Sequence, residues 1–328
     1  MTLNLIAVVV AAAVAYILTP FVRRFAESRG IVAHPGGRRV HARATPLMGG
    51  LAMYVAFVAA VAVAYVLLPE PHTIAQKQLF AVQRHMVLGI LLGGTLVAIV
   101  GVLDDRFELP GWAQAGSILA AGGVLCCFGV TISGITSPIR VEFGYWSIPV
   151  TLLWVLMVTK AVDCMDGLDG LAAGISAIAA ATLMIMAAQF PGRQMSAVMA
   201  AALFGAALGF LRFNYPPAKV FMGTVGAQFL GFTLASISIL GTMKITAMLA
   251  VAVPVLILAV PLIDTTFVVL RRAASGKKIG DADTTHLHHR LVQKGLSHRQ
   301  VIWCIYGLAL VSCAIAYVIF LHLSRVGK

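Results

Sequence analysis

Apolar runs of about 20 residues follow one another along almost the whole chain, and this pattern excludes most folds open to 328 residues. Each run is long enough to cross the hydrocarbon core of a bilayer as a helix. Ten can be marked: roughly 3–22, 47–68, 84–103, 112–130, 146–162, 168–189, 195–213, 220–240, 244–270 and 300–322. In lipid each backbone N–H and C=O must find its partner inside the element, so such spans are helical. The chain is 60% hydrophobic and 11% charged, whereas a soluble domain carries about a quarter charged residues. The expectation is an all-α integral membrane protein, one polytopic domain over residues 1–328, with no room between spans for a separate soluble domain. The first run is long and its basic flank follows it, so it reads as a span rather than a cleaved leader.

A net charge of +12 would suit a nucleic-acid binder, but the positions of the charges argue against one. With the first connecting loop placed in the cytoplasm, 17 of the 24 Lys and Arg fall inside: six in 23–46, seven in 271–299, and Arg106, Lys160, Arg212 and Lys219. The positive-inside rule then puts both termini outside. Basic residues on that side suit an anionic leaflet, and some suit phosphate. The same topology, chosen without the acids, leaves only Glu70 and Glu142 of the twelve Asp and Glu outside. One face of the membrane therefore collects nearly all the carboxylates. The five cysteines lack metal-ligand spacing and read as free thiols packed in the bundle. The outer segment 131–144 alternates weakly and contains Gly and Pro, which predicts a short hairpin.

Against this scarcity of charge, Lys160-Ala-Val-Asp163-Cys-Met-Asp166-Gly-Leu-Asp169-Gly-Leu171 sets three carboxylates within seven residues between two apolar segments. Acids beside a membrane span mark sites more often than structure, and acids this close repel unless a cation joins them. Asp104-Asp105 ends the third span, where the helix dipole disfavours carboxylates, and it suits a cation or a proton. Val220-Phe221-Met-Gly-Thr224-Val-Gly226 opens the eighth span. Gly and Thr there suit close backbone approach and phosphate at a helix start, and Phe221 suits stacking on a base. Glycines also pack helices in any membrane bundle. His286-Leu-His288-His289-Arg290 and His34-Pro-Gly-Gly-Arg38-Arg39-Val-His41 are basic turns suited to polyphosphate or metal, or to plain solvation.

In order and spacing, Asp104-Asp105, Asp166-Gly-Leu-Asp169-Gly-Leu, Asn214-Tyr-Pro-Pro-Ala-Lys-Val-Phe-Met-Gly223 and His286-Leu-His288-His289 resemble the polyprenyl-phosphate N-acetylhexosamine-1-phosphate transferases, glycosyltransferase family 4. The resemblance runs from Arg39-Val-His41 to the last loop. The His-x-His-His form is similar to the branch that starts O-antigen, common-antigen and teichoic-acid linkage synthesis, and less so to the muramyl-pentapeptide branch. The resemblance implies transfer of a sugar 1-phosphate, by default GlcNAc-1-phosphate, from a UDP-sugar to undecaprenyl phosphate. UMP would leave and Mg²⁺ would assist, at the cytoplasmic face of a bacterial inner membrane. It implies that Asp104 and Asp105 are the acidic pair near the acceptor phosphate; Asp163 and Asp166 of the acid turn are expected to be catalytic beside them. Asp169, Asn214 and Phe221 would hold uracil and ribose. Arg39, His41, His286, His288, His289 and Arg290 would meet diphosphate and sugar. Pairing of two copies through lipid-facing spans is a further implication.

The chain departs from that family's pattern at several positions. Lys160 and Asp163 stand where the family has Asn, and Thr224 where it has the Asp that binds Mg²⁺; Ala227, His34 and Leu47 also differ. One reading moves the metal carboxylate to Asp163, with the Thr224 hydroxyl as a weaker ligand. Another has Lys160 supply fixed positive charge. Three functions stay open at this point: the transferase, a relative that binds nucleotide sugar or lipid phosphate without turnover, and a transporter. Transporters place ionisable groups near the bilayer midplane. Here the span interiors are nearly free of charge, and Asp264 alone comes close.

Overall fold

The computed structural model describes residues 2–33, 44–68, 73–135, 141–190, 192–242, 254–274 and 286–326. It is built of helices: α1 Thr2–Ser28, α2 Gly49–Val66, α3 Ile74–Phe107, α4 Gly111–Cys127, α5 Ser147–Cys164, α6 Leu171–Ala188, α7 Gln194–Asn214, α8 Gly223–Thr242, α9 Ala259–Ala274, α10 Leu287–Gln293 and α11 His298–Val326. Among the described residues, eight helices are long and apolar enough to cross a membrane, and α4 is apolar but shorter. The expected span 244–270 lies partly outside the described residues and is represented by α9. The protein is thus an all-α integral membrane protein.

The third span starts ten residues before the apolar run does. Thr73 caps α3: its side chain accepts from Gln76 N at 3.2 Å, while Gln76 Oε1 accepts from Thr73 N at 3.1 Å. This reciprocal cap stabilises polar turns that hydropathy leaves out. At 34 residues α3 is about 50 Å long, so its ends stand clear of a hydrocarbon layer of about 30 Å.

Small residues set the packing. Ala7, Ala11 and Ala15 of α1 are fully buried, and Gly205 and Gly209 of α7 meet the α1 backbone at Val8 and Ala12. Without a hydrophobic drive between helices in lipid, such close backbone contact is what holds them together. The axis of the bundle is α8, whose spanning window is 94% buried. Its Gly226 lies against Gly50 of α2 so closely that neither position has room for a Cβ.

Two short antiparallel ladders stand at opposite ends. In one, β1 (Val32–Ala33) pairs with β2 (Thr45–Pro46), Val32 opposite Pro46. In the other, β3 (Gly134–Ile135) pairs with β4 (Val141–Glu142), Gly134 opposite Glu142. The second is the hairpin expected between the fourth and fifth spans. Because helix directions alternate, α3, α5 and α7 end, and α4, α6 and α8 begin, at the end that carries β1 and β2.

Candidate functional site

The acid turn between α5 and α6 is clamped from three sides. Gly170, at φ 75°, reverses the chain into α6, a left-handed conformation that favours glycine. Its N–H donates to Asn214 Oδ1 at 2.9 Å, and its carbonyl accepts from the Tyr306 hydroxyl at 2.6 Å. Asp169 Oδ2 accepts from Ala218 N at 2.9 Å, and Asn214 Nδ2 donates to Val220 O at 2.9 Å. Asn214, almost fully buried, thereby joins the turn to loop 215–222. That loop is stitched in turn to the start of α2: Phe221 N donates to Pro46 O, and Gly49 N to Phe221 O.

At the end of α3 the dipole penalty on Asp104 is offset by donors. Asp104 Oδ1 accepts from Leu109 N and from Gln114 Nε2, each at 2.9 Å. Asp105 Oδ1 accepts from Thr224 N at 2.7 Å, one of the amides left free at the start of α8. The other oxygen of Asp105, Oδ2, is sealed from solvent and has no hydrogen-bond partner among the described residues. Gly223 faces it at φ 69°, and a Cβ there would collide with Asp105 Oδ2.

Gln114 of α4 is a hub. Its Oε1 accepts from Lys160 Nζ at 2.6 Å and from Gln228 Nε2 at 3.3 Å, which orients its amide toward Asp104. Lys160 Nζ also pairs with Asp163 Oδ2 at 2.7 Å. The chain Asp104–Gln114–Lys160–Asp163 therefore links the acidic pair of α3 to the acid turn.

The imidazoles divide. His289 faces the cavity. His286 sits behind it, its Nδ1 at 2.8 Å from Asp264 Oδ2, while Leu287 N donates to Asp264 Oδ1 at 2.7 Å. His288 is 1% exposed and stacks on His286. It fits over Gly167, where a Cβ would lie 2.5 Å from His288 Nε2. Burial, then the neighbouring His289 and His286, push its pKa down to about 3. Arg290 lies over the Phe267 ring at 5.7 Å.

One cavity of about 960 Å³ opens at this end of the bundle, the upper part of the range for ligand sites. It is lined by Asp104, Asp105, Asp163, Asp166, Asp169, Asn214, Phe221, Thr224 and His289. His286, His288 and Arg290 are not on its wall, and Arg39 and His41 lie outside the described residues. Burial, then the adjacent Asp163, Asp105 and Asp169, hold the Asp166 carboxyl well above the usual carboxylate range. Glu108, Ser297, His298 and Arg299 are also on the wall; Arg299 Nη2 donates to Pro216 O at 3.3 Å. Sequence reasoning missed Arg299, Tyr306 and Gln114. The lone amide of Gln114 inside an apolar run is visible in the sequence, but nothing there sets it apart from a packed polar residue.

The family model for glycosyl transferase family 4 matches residues 87–242, the stretch from α3 through α8 that builds most of this cavity. A Bacillus subtilis protein, named probable undecaprenyl-phosphate N-acetylglucosaminyl 1-phosphate transferase, is 34% identical over 304 residues, covering 92% of this chain and 80% of its own. The chain belongs to glycosyl transferase family 4. Two further family members are similar along most of their length. The decaprenyl-phosphate N-acetylglucosaminephosphotransferase of Mycobacterium tuberculosis H37Rv is 33% identical over 90% of this chain and 77% of its own. The undecaprenyl-phosphate alpha-N-acetylglucosaminyl 1-phosphate transferase of Escherichia coli K12 is 29% identical over 85% and 74%.

Proposed function

We propose that this family member transfers a sugar 1-phosphate, GlcNAc-1-phosphate by preference, from a UDP-sugar to undecaprenyl phosphate. UMP leaves, and the product starts a lipid-linked envelope glycan at the cytoplasmic face of a bacterial inner membrane. The observation that carries this reading is the cavity shared by the α3 acid pair, the acid turn and the loop ending at Gly223. It lies at the end of the bundle that collects the basic loops, where a soluble anionic donor and a lipid headgroup can meet. The names of the three relatives support the reaction class.

The acceptor's phosphate oxygen attacks the β-phosphorus of the donor. The bond from that phosphorus to the oxygen bridging the α-phosphate breaks, and the electron pair leaves on UMP. A phosphate monoester has its second pKa near ~6, so the acceptor is already largely a dianion and needs little base catalysis. What the protein contributes is positioning and charge compensation. Asp104, held by two donors, orients the acceptor end. Phe221 stacks on uracil, Asp169 and Asn214 fix the nucleoside side, and His289, with Arg299, faces the diphosphate.

The donor set fits a hard divalent cation. Carboxylate oxygens are its preferred ligands, Asp105 Oδ2 has no partner among the described residues, and Mg²⁺ takes only about one or two carboxylates beside water and substrate oxygens. Asp105, Asp163 and the Thr224 hydroxyl are the groups that would hold it. Bound Mg²⁺ supplies neutralisation of the diphosphate oxygens.

The pairing of Lys160 with Asp163 also gives the binding-only alternative a concrete basis, since it occupies an oxygen of the carboxylate assigned to metal. Purified protein given tritiated UDP-GlcNAc and undecaprenyl phosphate, with and without Mg²⁺, separates the two. Release of UMP supports the transferase. Retention of donor with no UMP supports binding without turnover.

A further inference from the structure

Six carboxylates line the cavity: Asp104, Asp105, Glu108, Asp163, Asp166 and Asp169. Lys160 is not on that wall. Its half-buried ammonium lies behind it, 2.6 Å from Gln114 Oε1 and 2.7 Å from Asp163 Oδ2. Gln228, fully buried on α8, donates to the same Gln114 oxygen, so the amide of Gln114 has one orientation left and its Nε2 must point at Asp104. One lysine thus reaches both walls of the pocket, Asp163 directly and Asp104 through one amide.

We propose that Lys160 is a resident positive charge of this pocket, a positioning residue that fixes Asp104 and Asp163 and supplies from behind the wall part of the charge compensation a divalent cation supplies from the cavity. The inference rests on the reading that the cavity binds a cation with the donor diphosphate. A compact ammonium on a flexible stem suits this role, being a point charge with three donors, two of which are used here. Its cost falls on the metal. A positive charge in contact with Asp163 withdraws one carboxylate oxygen and repels a dication brought beside it. The protein should therefore bind a divalent cation more weakly than its carboxylate count suggests, and should bind it better once the charge is removed. A neutral amide could make similar hydrogen bonds but would take this positive charge away from the acid cluster. The charge, more than the hydrogen bonds, is what Lys160 adds.

The test is Mn²⁺ binding to the full chain in nanodiscs, read by electron paramagnetic resonance without substrates. The proteins compared are the wild type, Lys160→Met, Lys160→Gln and Lys160→Arg. At the effective dielectric of a pocket wall, loss of a unit charge one contact away is expected to tighten Mn²⁺ binding on the order of tenfold or more in the Met and Gln variants. The Arg variant keeps the charge and should stay near wild type. Thermal melting run beside it reports packing, and Lys160→Gln, which retains a donor, serves if Lys160→Met does not fold. Equal Mn²⁺ affinity in wild type and neutral variants, an Arg variant that behaves like the neutral ones, or no Mn²⁺ binding in any of them overturns the proposal. Because Mn²⁺ binding is read without turnover, it stands or falls separately from UMP release.

Discussion

Asp105 holds the amide of Thr224 with one oxygen, and its other oxygen, beside Gly223, has no hydrogen-bond partner among the described residues, which makes it the residue where loss of charge should cost most. Asp105→Asn keeps the shape and one acceptor. It is expected to lower the rate of UMP release by about a hundredfold or more with little change in melting temperature, as expected when a preorganised charged group is removed. A steady-state comparison with wild type checks this. Asp163→Asn should abolish the Mg²⁺-dependent part of the same rate; an unchanged Mg²⁺ response would remove Asp163 from the metal site. At this scale the acids were legible in the sequence because charge is scarce and lipid excludes it. Gln114 was not. An uncharged amide in an apolar run looks like any packed polar residue until Asp104 and Lys160, from two other helices, are brought to its two ends. The imidazole cluster was legible as a motif, but not its division of labour, which depends on Asp264 and Gly167 arriving from elsewhere.

Among the elements, the acid turn depends on its neighbours. Tyr306 of α11 reaches across α6 to the carbonyl of Gly170, and Gly174 leaves the room for its ring. Tyr306→Phe should destabilise the protein by about 0.5–2 kcal/mol, the range for interhelical hydrogen bonds in membranes, measured by unfolding in mixed micelles. The short helix α10 seats His288 over Gly167 and holds it neutral. Its folded pKa of about 3 lies below the ordinary imidazole value of 6.5. Between those values the unfolded chain takes up a proton that the folded chain refuses, so this contribution is complete above pH 6.5 and is lost as pH falls toward 3. The melting temperature should drop from neutral pH to about pH 5, and His288→Gln should flatten that slope. Most spans were legible as elements because an apolar run of about 20 residues is long enough to cross a bilayer, though the run at 112–130 forms the shorter helix α4. The start of α3 was not, since it is fixed by the cap at Thr73 rather than by hydropathy.

For the whole molecule, alternation of helix direction gathers three acid-bearing segments at one end, and the count of Lys and Arg by loop identifies that end without reference to the acids. That much was readable from the chain alone. The cavity itself was not, because its shape comes from contacts between distant helices. The backbone meeting of Gly50 with Gly226 and the bonds from loop 215–222 to the start of α2 are examples. On the proposed function, what makes the molecule one device is a single carboxylate-lined space that a lipid phosphate and a nucleotide diphosphate would both reach. The most direct test gives wild type and Asp105→Asn undecaprenyl phosphate and UDP-GlcNAc labelled at the β-phosphorus, then partitions the products between lipid and water. The label should pass to the lipid with wild type, with unlabelled UMP in the water, and should stay aqueous with Asp105→Asn. Label that remains in water with wild type, or that enters the lipid equally with the variant, would contradict transfer of a sugar 1-phosphate by this pocket.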